Sequence, residues 1–184
     1  QKCKGEVIGY INCDDLYEDK EYFKKIYEAF FKKKIDCVYS GYQVKNLDKN
    51  KSKCYVPLKF KSRYLVTLGL PFCQHTFFWN KKFKNLKFDL KYKICSDFHF
   101  IGKVLIKSRR IGFINSNTST FHKHMKSFGE RNKNRGLEEI KKIKKFFNKK
   151  IKFNLIFYLI DRMSNYLNNF KTYDNKLYII NKKK

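Results

Sequence analysis

The sequence predicts an α/β fold, and three features carry that prediction. Residues 7–11 form a β-branched and aromatic run suited to a strand, and residues 35–42 form a second. Between them, residues 19–34 place Tyr22, Phe23, Ile26, Tyr27, Ala29, Phe30 and Phe31 close to helical spacing, with lysines on the outer face. An apolar fraction of 42% with 18% aromatic residues gives the 184-residue chain enough material for a globular core and excludes a disordered class.

The remaining elements follow in order. Residues 45–53 read as a charged, exposed loop, and residues 64–68 as a short helix stopped by Gly69 and Pro71. A strand is expected over residues 73–79, with Gln74 and His75 on opposite faces by alternation. Ser96 reads as the cap of a helix over residues 97–107, whose Phe98, Ile101, Val104 and Leu105 make one apolar stripe with Asp97 in the first turn. Residues 110–115 read as a strand and residues 116–136 as a polar, mobile connection carrying His122 and His124. Two amphipathic helices, over 137–148 and 151–167, precede a frayed basic end at residues 182–184. The chain has no evident internal repeat.

Net charge is +27. Such a balance points to nucleic acid or an anionic membrane, but arginine is confined to six positions while Lys, Asn, Ile, Phe and Tyr, all with A/T-rich codons, abound. A low-GC coding bias that inflates lysine on solvated faces accounts for the charge equally well. Six cysteines show no CxxC or His/Cys spacing for zinc, and they read as small buried hydrophobes in a reducing compartment. The longest apolar stretch, residues 153–160, is too short to span a bilayer. Preceded by Lys141, Lys142, Lys144, Lys145, Lys149 and Lys150, it suits either an anionic membrane surface or a helix pair packed on the body.

Asp14 and Asp15 fall where the strand over 7–11 ends, the place where ligands sit in open α/β sheets. Adjacent carboxylates there suit a hard divalent cation whose shell is completed by phosphate and water. The alternative is a helix cap, with Asp15 or Asp19 satisfying free N–H groups. Asp97 likewise is either functional or an ordinary acid in a first helical turn. Asp89 closes a turn, Trp79 packs in the core or stacks on a sugar, and His75 reads as a hydrogen-bonded core residue. His122 and His124, spaced like a strand pair, either add a metal or phosphate contact or are inert.

The run Gly5-Glu6-Val7-Ile8-Gly9-Tyr10-Ile11-Asn12-Cys13-Asp14-Asp15-Leu16-Tyr17 resembles the acidic "DxD" segment of the family 2 glycosyltransferases, whose GT-A domains carry Gly-Glu, an apolar strand, Asn-Ser-Asp-Asp and an aromatic residue. Here Cys13 replaces the serine and Asn12 the first acid. Leu70-Pro71-Phe72-Cys73-Gln74-His75-Thr76-Phe77-Phe78, then Phe88-Asp89 and Ile94-Cys95-Ser96-Asp97-Phe98, resemble the same family's acceptor-side segment. The Gln74-His75 order is the reverse of the family's, so neither residue inherits a role. Together the two matches span most of residues 5–125.

The resemblance implies that residues 1–128 are the C-terminal part of a GT-A domain with a mixed sheet flanked by helices. It also implies a first βαβ nucleotide-binding unit of roughly one hundred residues upstream, with residues 129–184 as a basic helical extension. The implied activity moves a sugar, with inversion, from a nucleotide-diphosphate-sugar to a glycan or lipid-linked acceptor in cell-envelope polysaccharide assembly. Catalysis by these residues alone is left open. The resemblance implies Asp14 as first choice and Asp15 as second choice of ligand for a divalent cation, Mn²⁺ or Mg²⁺, coordinating directly or through a bound water, and Asp97 as the general base. A helix N-terminus is expected to keep Asp97 ionised. The implied location is the cytoplasm, at the membrane face, with no nucleic-acid partner. The rivals are a basic nucleic-acid-binding module and a metal-dependent nuclease or phosphotransferase built on Asp14, Asp15 and Asp97.

Overall fold

A computed structural model describes residues 3–55, 66, 70, 72–150 and 177–181. In chain order these residues form β1 (Val7–Ile8), β2 (Leu16–Tyr17), α1 (Tyr22–Tyr27), β3 (Cys37–Asn46), β4 (Lys51–Tyr55), β5 (Phe78–Asn80), α2 (Ser96–Lys107), β6 (Arg110–Lys123), α3 (Phe128–Arg131), α4 (Lys133–Lys150) and β7 (Leu177–Asn181). The strands make one mixed sheet in the order β1-β5-β3-β6-β2, with β4 added to β3 and β7 to β6. The α/β class is thus as the sequence predicts.

The long strands β3 and β6 run parallel, and every other pairing is antiparallel. Their register jumps between Ser40 and Gly41, where Ser40 faces Ile114 but Gly41 faces Asn117. An irregularity of this kind bends a strand and increases its twist. Before the jump the pair is flanked by β5 and β7, and beyond it by β4 and β2. The acidic turn before β2 is thereby anchored on the far half of β6, where Leu16 pairs with Thr120.

Both faces of the near half are covered. Alternation along β3 sends Cys37 and Tyr39 into a cluster with Trp79, Phe113, Phe98 and Ile101, joined by Ile143 and Phe147 of α4. It sends Val38 the other way, into a cluster with Phe78, Ile114, the α1 residues Tyr22 and Ile26, and Ala29 and Phe30 just beyond α1. A helix on each face is what such a two-sided apolar strand requires.

Several expected elements differ. The strand over 7–11 shrinks to Val7–Ile8, because its partner β5 has only three residues, and Ile11 leaves the sheet 40% exposed. The helix over 19–34 is one α-helical stretch followed by a π-helical turn, Glu28–Lys32, in which the Lys33 N–H reaches the Glu28 carbonyl. The loop over 45–53 is a hairpin instead. β3 runs on to Asn46, Asn46 Oδ1 accepts from the Lys49 N–H, and Asn50 takes the left-handed conformation (φ 46°) that asparagine tolerates. Gln74–Thr76 is a 3₁₀ turn, so strand alternation does not apply to Gln74 and His75.

β6 continues through Lys123 where a polar connection was expected. Its Ser116, Thr118, Ser119 and Thr120 are polar yet buried, with the Thr118 hydroxyl 2.6 Å from Ser40 Oγ and 3.2 Å from the Gly41 carbonyl. Ser96 is the first residue of α2, and Cys95 is its cap. Of the described cysteines only Cys37 is fully buried, while Cys3, Cys13 and Cys54 are exposed, so the small-hydrophobe reading holds for Cys37. Within 129–184, α4 packs on α2 and contributes Ile143 and Phe147 to the core, and residues 177–181 are a strand, not helix. The helices expected at 64–68 and 151–167, and the end at 182–184, lie outside the described residues except for helical Val66. Among the described residues no helix is long and apolar enough to cross a membrane.

Candidate functional site

Asp14 and Asp15, adjacent in sequence, face opposite ways. Asp15 points inward: Oδ1 accepts the His122 N–H at 3.2 Å, Oδ2 accepts the Asn12 side-chain amide at 3.1 Å, and His75 Nδ1 lies 3.4 Å from Oδ2. Burial raises its pKa against these donors. Its two oxygens are thus engaged by protein groups. Asp14 turns outward, its side chain 42% exposed and its Oδ2 3.5 Å from His124 Nε2. His122 Nδ1 meets the Asp14 carbonyl at 2.5 Å, so its proton is on Nδ1 and the ring pins the turn. The acidic turn therefore sits against the end of β6, which the sequence reading treated as loop. Neither Asp14 nor Asp15 caps a helix. Asp19 Oδ1 accepts the Glu21 N–H at 2.9 Å in the turn ahead of α1, whose cap residue is Glu21.

The residues that could hold a divalent cation are Asp14 and His124. One carboxylate and one imidazole on facing segments, with the carboxylate open to solvent, form a two-donor set that leaves room for phosphate oxygens and water. Among the described residues no group of three or more His, Cys, Asp or Glu gathers as a closed cluster.

His75 is fully buried. Its Nε2 is 2.8 Å from Ser119 Oγ, its carbonyl accepts from the Tyr17 hydroxyl at 2.7 Å, and burial brings its pKa down to about 4. The ring is neutral at physiological pH, consistent with the core reading.

Asp97 borders the segment that carries His75, at Phe72 and Gln74. It lines a cavity of about 360 Å³ with Leu70, Phe72, Gln74, Ile94 and Lys144. Its Oδ1 accepts the Phe98 N–H at 2.7 Å, yet burial outweighs that bond and raises the carboxyl pKa. The direction is opposite to the one a helix N-terminus alone would give. Desolvation penalises the charge by more than the terminus favours it. Cys73 feels the charges of both Asp15 and Asp97, and its thiol is pushed up chiefly by burial. The segment between the two acidic positions thus couples to each. Tyr10, with a buried hydroxyl raised first by desolvation and then by Asp97, borders the same region.

Sequence reasoning missed Glu139. It lies on α4 four residues before Ile143 and eight before Phe147, and it is buried like them. An acid on the apolar stripe of a helix was the available signal. His122 and His124 do reach the site, Trp79 is buried in the core, and Asp89 closes its turn through the Lys91 N–H at 3.2 Å. Compared with protein-family models and with curated proteins, the chain matches none.

Proposed function

We propose that the chain is part of a GT-A glycosyltransferase, resembling family 2, that moves a sugar from a nucleotide-diphosphate-sugar to a glycan or lipid-linked acceptor. The observation that carries this reading is the division of labour around residues 73–75. The acidic turn that meets this segment at His75 carries an outward carboxylate beside an imidazole, Asp14 with His124, and the cavity that the segment lines at Gln74 carries a desolvated carboxylate, Asp97. Those are the two functions that transfer from a diphosphate donor needs, in the chain order of the motifs.

A divalent cation, Mn²⁺ or Mg²⁺, held by Asp14 and His124 would supply Lewis-acid neutralisation of the diphosphate that leaves. Asp15 holds the turn through the His122 N–H and so sets where Asp14 points. Asp97 accepts the proton of the attacking acceptor hydroxyl. A carboxylate whose pKa is raised by burial is the stronger base for that task. A single displacement by this route inverts the anomeric centre.

The test is a panel of nucleotide-diphosphate sugars offered to the full-length protein with Mn²⁺, following nucleotide release. Asp14→Asn is expected to abolish metal-dependent release with circular dichroism unchanged. Near-normal turnover in that variant overturns the reading.

A further inference from the structure

Glu139 makes four hydrogen bonds from a buried position on α4. Its Oε1 accepts the Lys93 N–H at 2.9 Å and Arg135 Nε at 3.2 Å, and its Oε2 accepts the Ile94 N–H at 2.9 Å and the Cys95 N–H at 3.0 Å. The three backbone donors are consecutive, and they end at the cap residue of α2. Cys95 offers no side-chain cap bond of its own, so a carboxylate from a helix more than forty positions later anchors the chain where α2 begins. Close approach of α4 makes this reachable. A Cβ at Gly136 would stand 3.3 Å from Ile94 Cγ2, and Cys95 Sγ contacts the Gly136 carbonyl at 3.6 Å.

Asp97 is the second residue of α2, and its carboxylate is oriented locally by the Phe98 N–H. Nothing in its own turn decides where that turn sits relative to the cavity. The Glu139 bonds do, because α2 is rigid and its start is fixed by residues 93–95. We infer that Glu139 is a positioning residue for Asp97, its carboxylate gathering the 93–95 amides so that α2 begins where Asp97 faces the cavity. The bonds to these amides lower the Glu139 pKa against the cost of burial, so it is ionised. Its effect on rate rests on the glycosyltransferase reading, whereas its effect on Asp97 does not.

Two variants of the full-length protein test this. Glu139→Gln replaces one carboxylate oxygen with an NH₂ group that cannot accept, and Glu139→Asp keeps the charge but withdraws it by one methylene. In both, hydrogen exchange at the amides of residues 93–95 is expected to quicken by about tenfold or more, as buried donors lose their acceptor. The Asp97 carboxyl, followed by carbon-detected NMR, is expected to titrate closer to an ordinary aspartate as water enters. Transfer is expected to fall by about tenfold with donor affinity unchanged, and Glu139→Gln is expected to add no further loss to Asp97→Asn, because groups acting as a unit are not additive. Unchanged exchange, or faster exchange with an unmoved Asp97 titration, overturns the inference. So does Glu139→Asp behaving as wild type, which would reduce the role to charge alone. If the wild-type protein transfers no sugar, the glycosyltransferase reading falls, while exchange and titration still decide the role of Glu139.

Discussion

His75 Nδ1 lies 3.4 Å from Asp15 Oδ2 with both side chains fully buried, so the acidic turn packs directly against the 3₁₀ turn of Gln74–Thr76. Beyond His75 the connection reaches Ser119 on β6, and beyond Asp15 it reaches the His122 N–H three residues further along the same strand. Three segments distant in sequence are held at one point.

Acid is expected to loosen that point. The His75 pKa is lowered on folding from 6.5 to about 4 by burial, so between those values the unfolded chain binds the proton and the folded chain does not. Stability from the neutral ring is complete above pH 6.5 and is lost as pH falls toward 4, by about 3 kcal/mol at most. Asp15, with its pKa raised, acts in the opposite sense above 3.8 and offsets part of the loss. Urea unfolding of wild type and His75→Gln at pH 7 and pH 4.5 isolates the histidine. The wild type should lose its advantage at the lower pH, and parallel pH dependences would refute the assignment.

Asp97 sets a second pH dependence, on rate. Because burial raises its pKa above 3.8, the proton-accepting form is lost at a higher pH than for an ordinary aspartate. The acid limb of kcat/KM should therefore lie above the usual carboxylate range. Asp97→Asn should remove that limb and lower transfer by about 10²-fold with donor binding retained. Equal losses of binding and rate would make Asp97 a structural residue of the α2 start.

What the sequence made legible was set by periodicity. The apolar stripes of α1 and α2 and the Val-Tyr-rich start of β3 each bury one pattern, and each was found. β6 was cut short because Ser116 to Thr120 look like loop residues. Their hydroxyls are buried and bonded across the register shift with β3, and composition does not display such a partner. The same error left His122 and His124, already singled out by their strand-like spacing, without a partner, since they meet Asp14 only because β6 runs to Lys123. The opposite facing of Asp14 and Asp15 was also illegible, because it depends on a backbone N–H one hundred and seven positions away.

Asp14 and His124 should share a cation. Asp14 carries the charge and His124 the second donor, 3.5 Å apart. His124→Ala is expected to raise the Mn²⁺ concentration at half-maximal binding by about tenfold, the order seen when a metal site loses a supporting group. Asp14→Asn should abolish saturable binding. Titration of Mn²⁺ followed by water-proton relaxation reads both without any donor sugar. Equal Mn²⁺ affinity in wild type and both variants would remove this pair from metal binding.

Gly102 governs how closely α4 packs on α2. A Cβ at this position would stand 2.5 Å from the Phe147 ring and 2.9 Å from Val66 Cγ1, far inside van der Waals contact. Phe147 is 1% exposed and cannot swing aside. The gain in helix propensity on replacing glycine, at most about 1 kcal/mol, is therefore outweighed by overpacking, which costs about 1–3 kcal/mol. Gly102→Ala should lower the denaturation midpoint. Phe147→Leu shortens the opposing group, so the double variant should lose less than the two single changes together, a coupling expected of side chains in contact. Strict additivity in chemical denaturation would show that α4 does not seat on α2 at Gly102. In that case the route by which Glu139 reaches the start of α2 would have to be drawn differently.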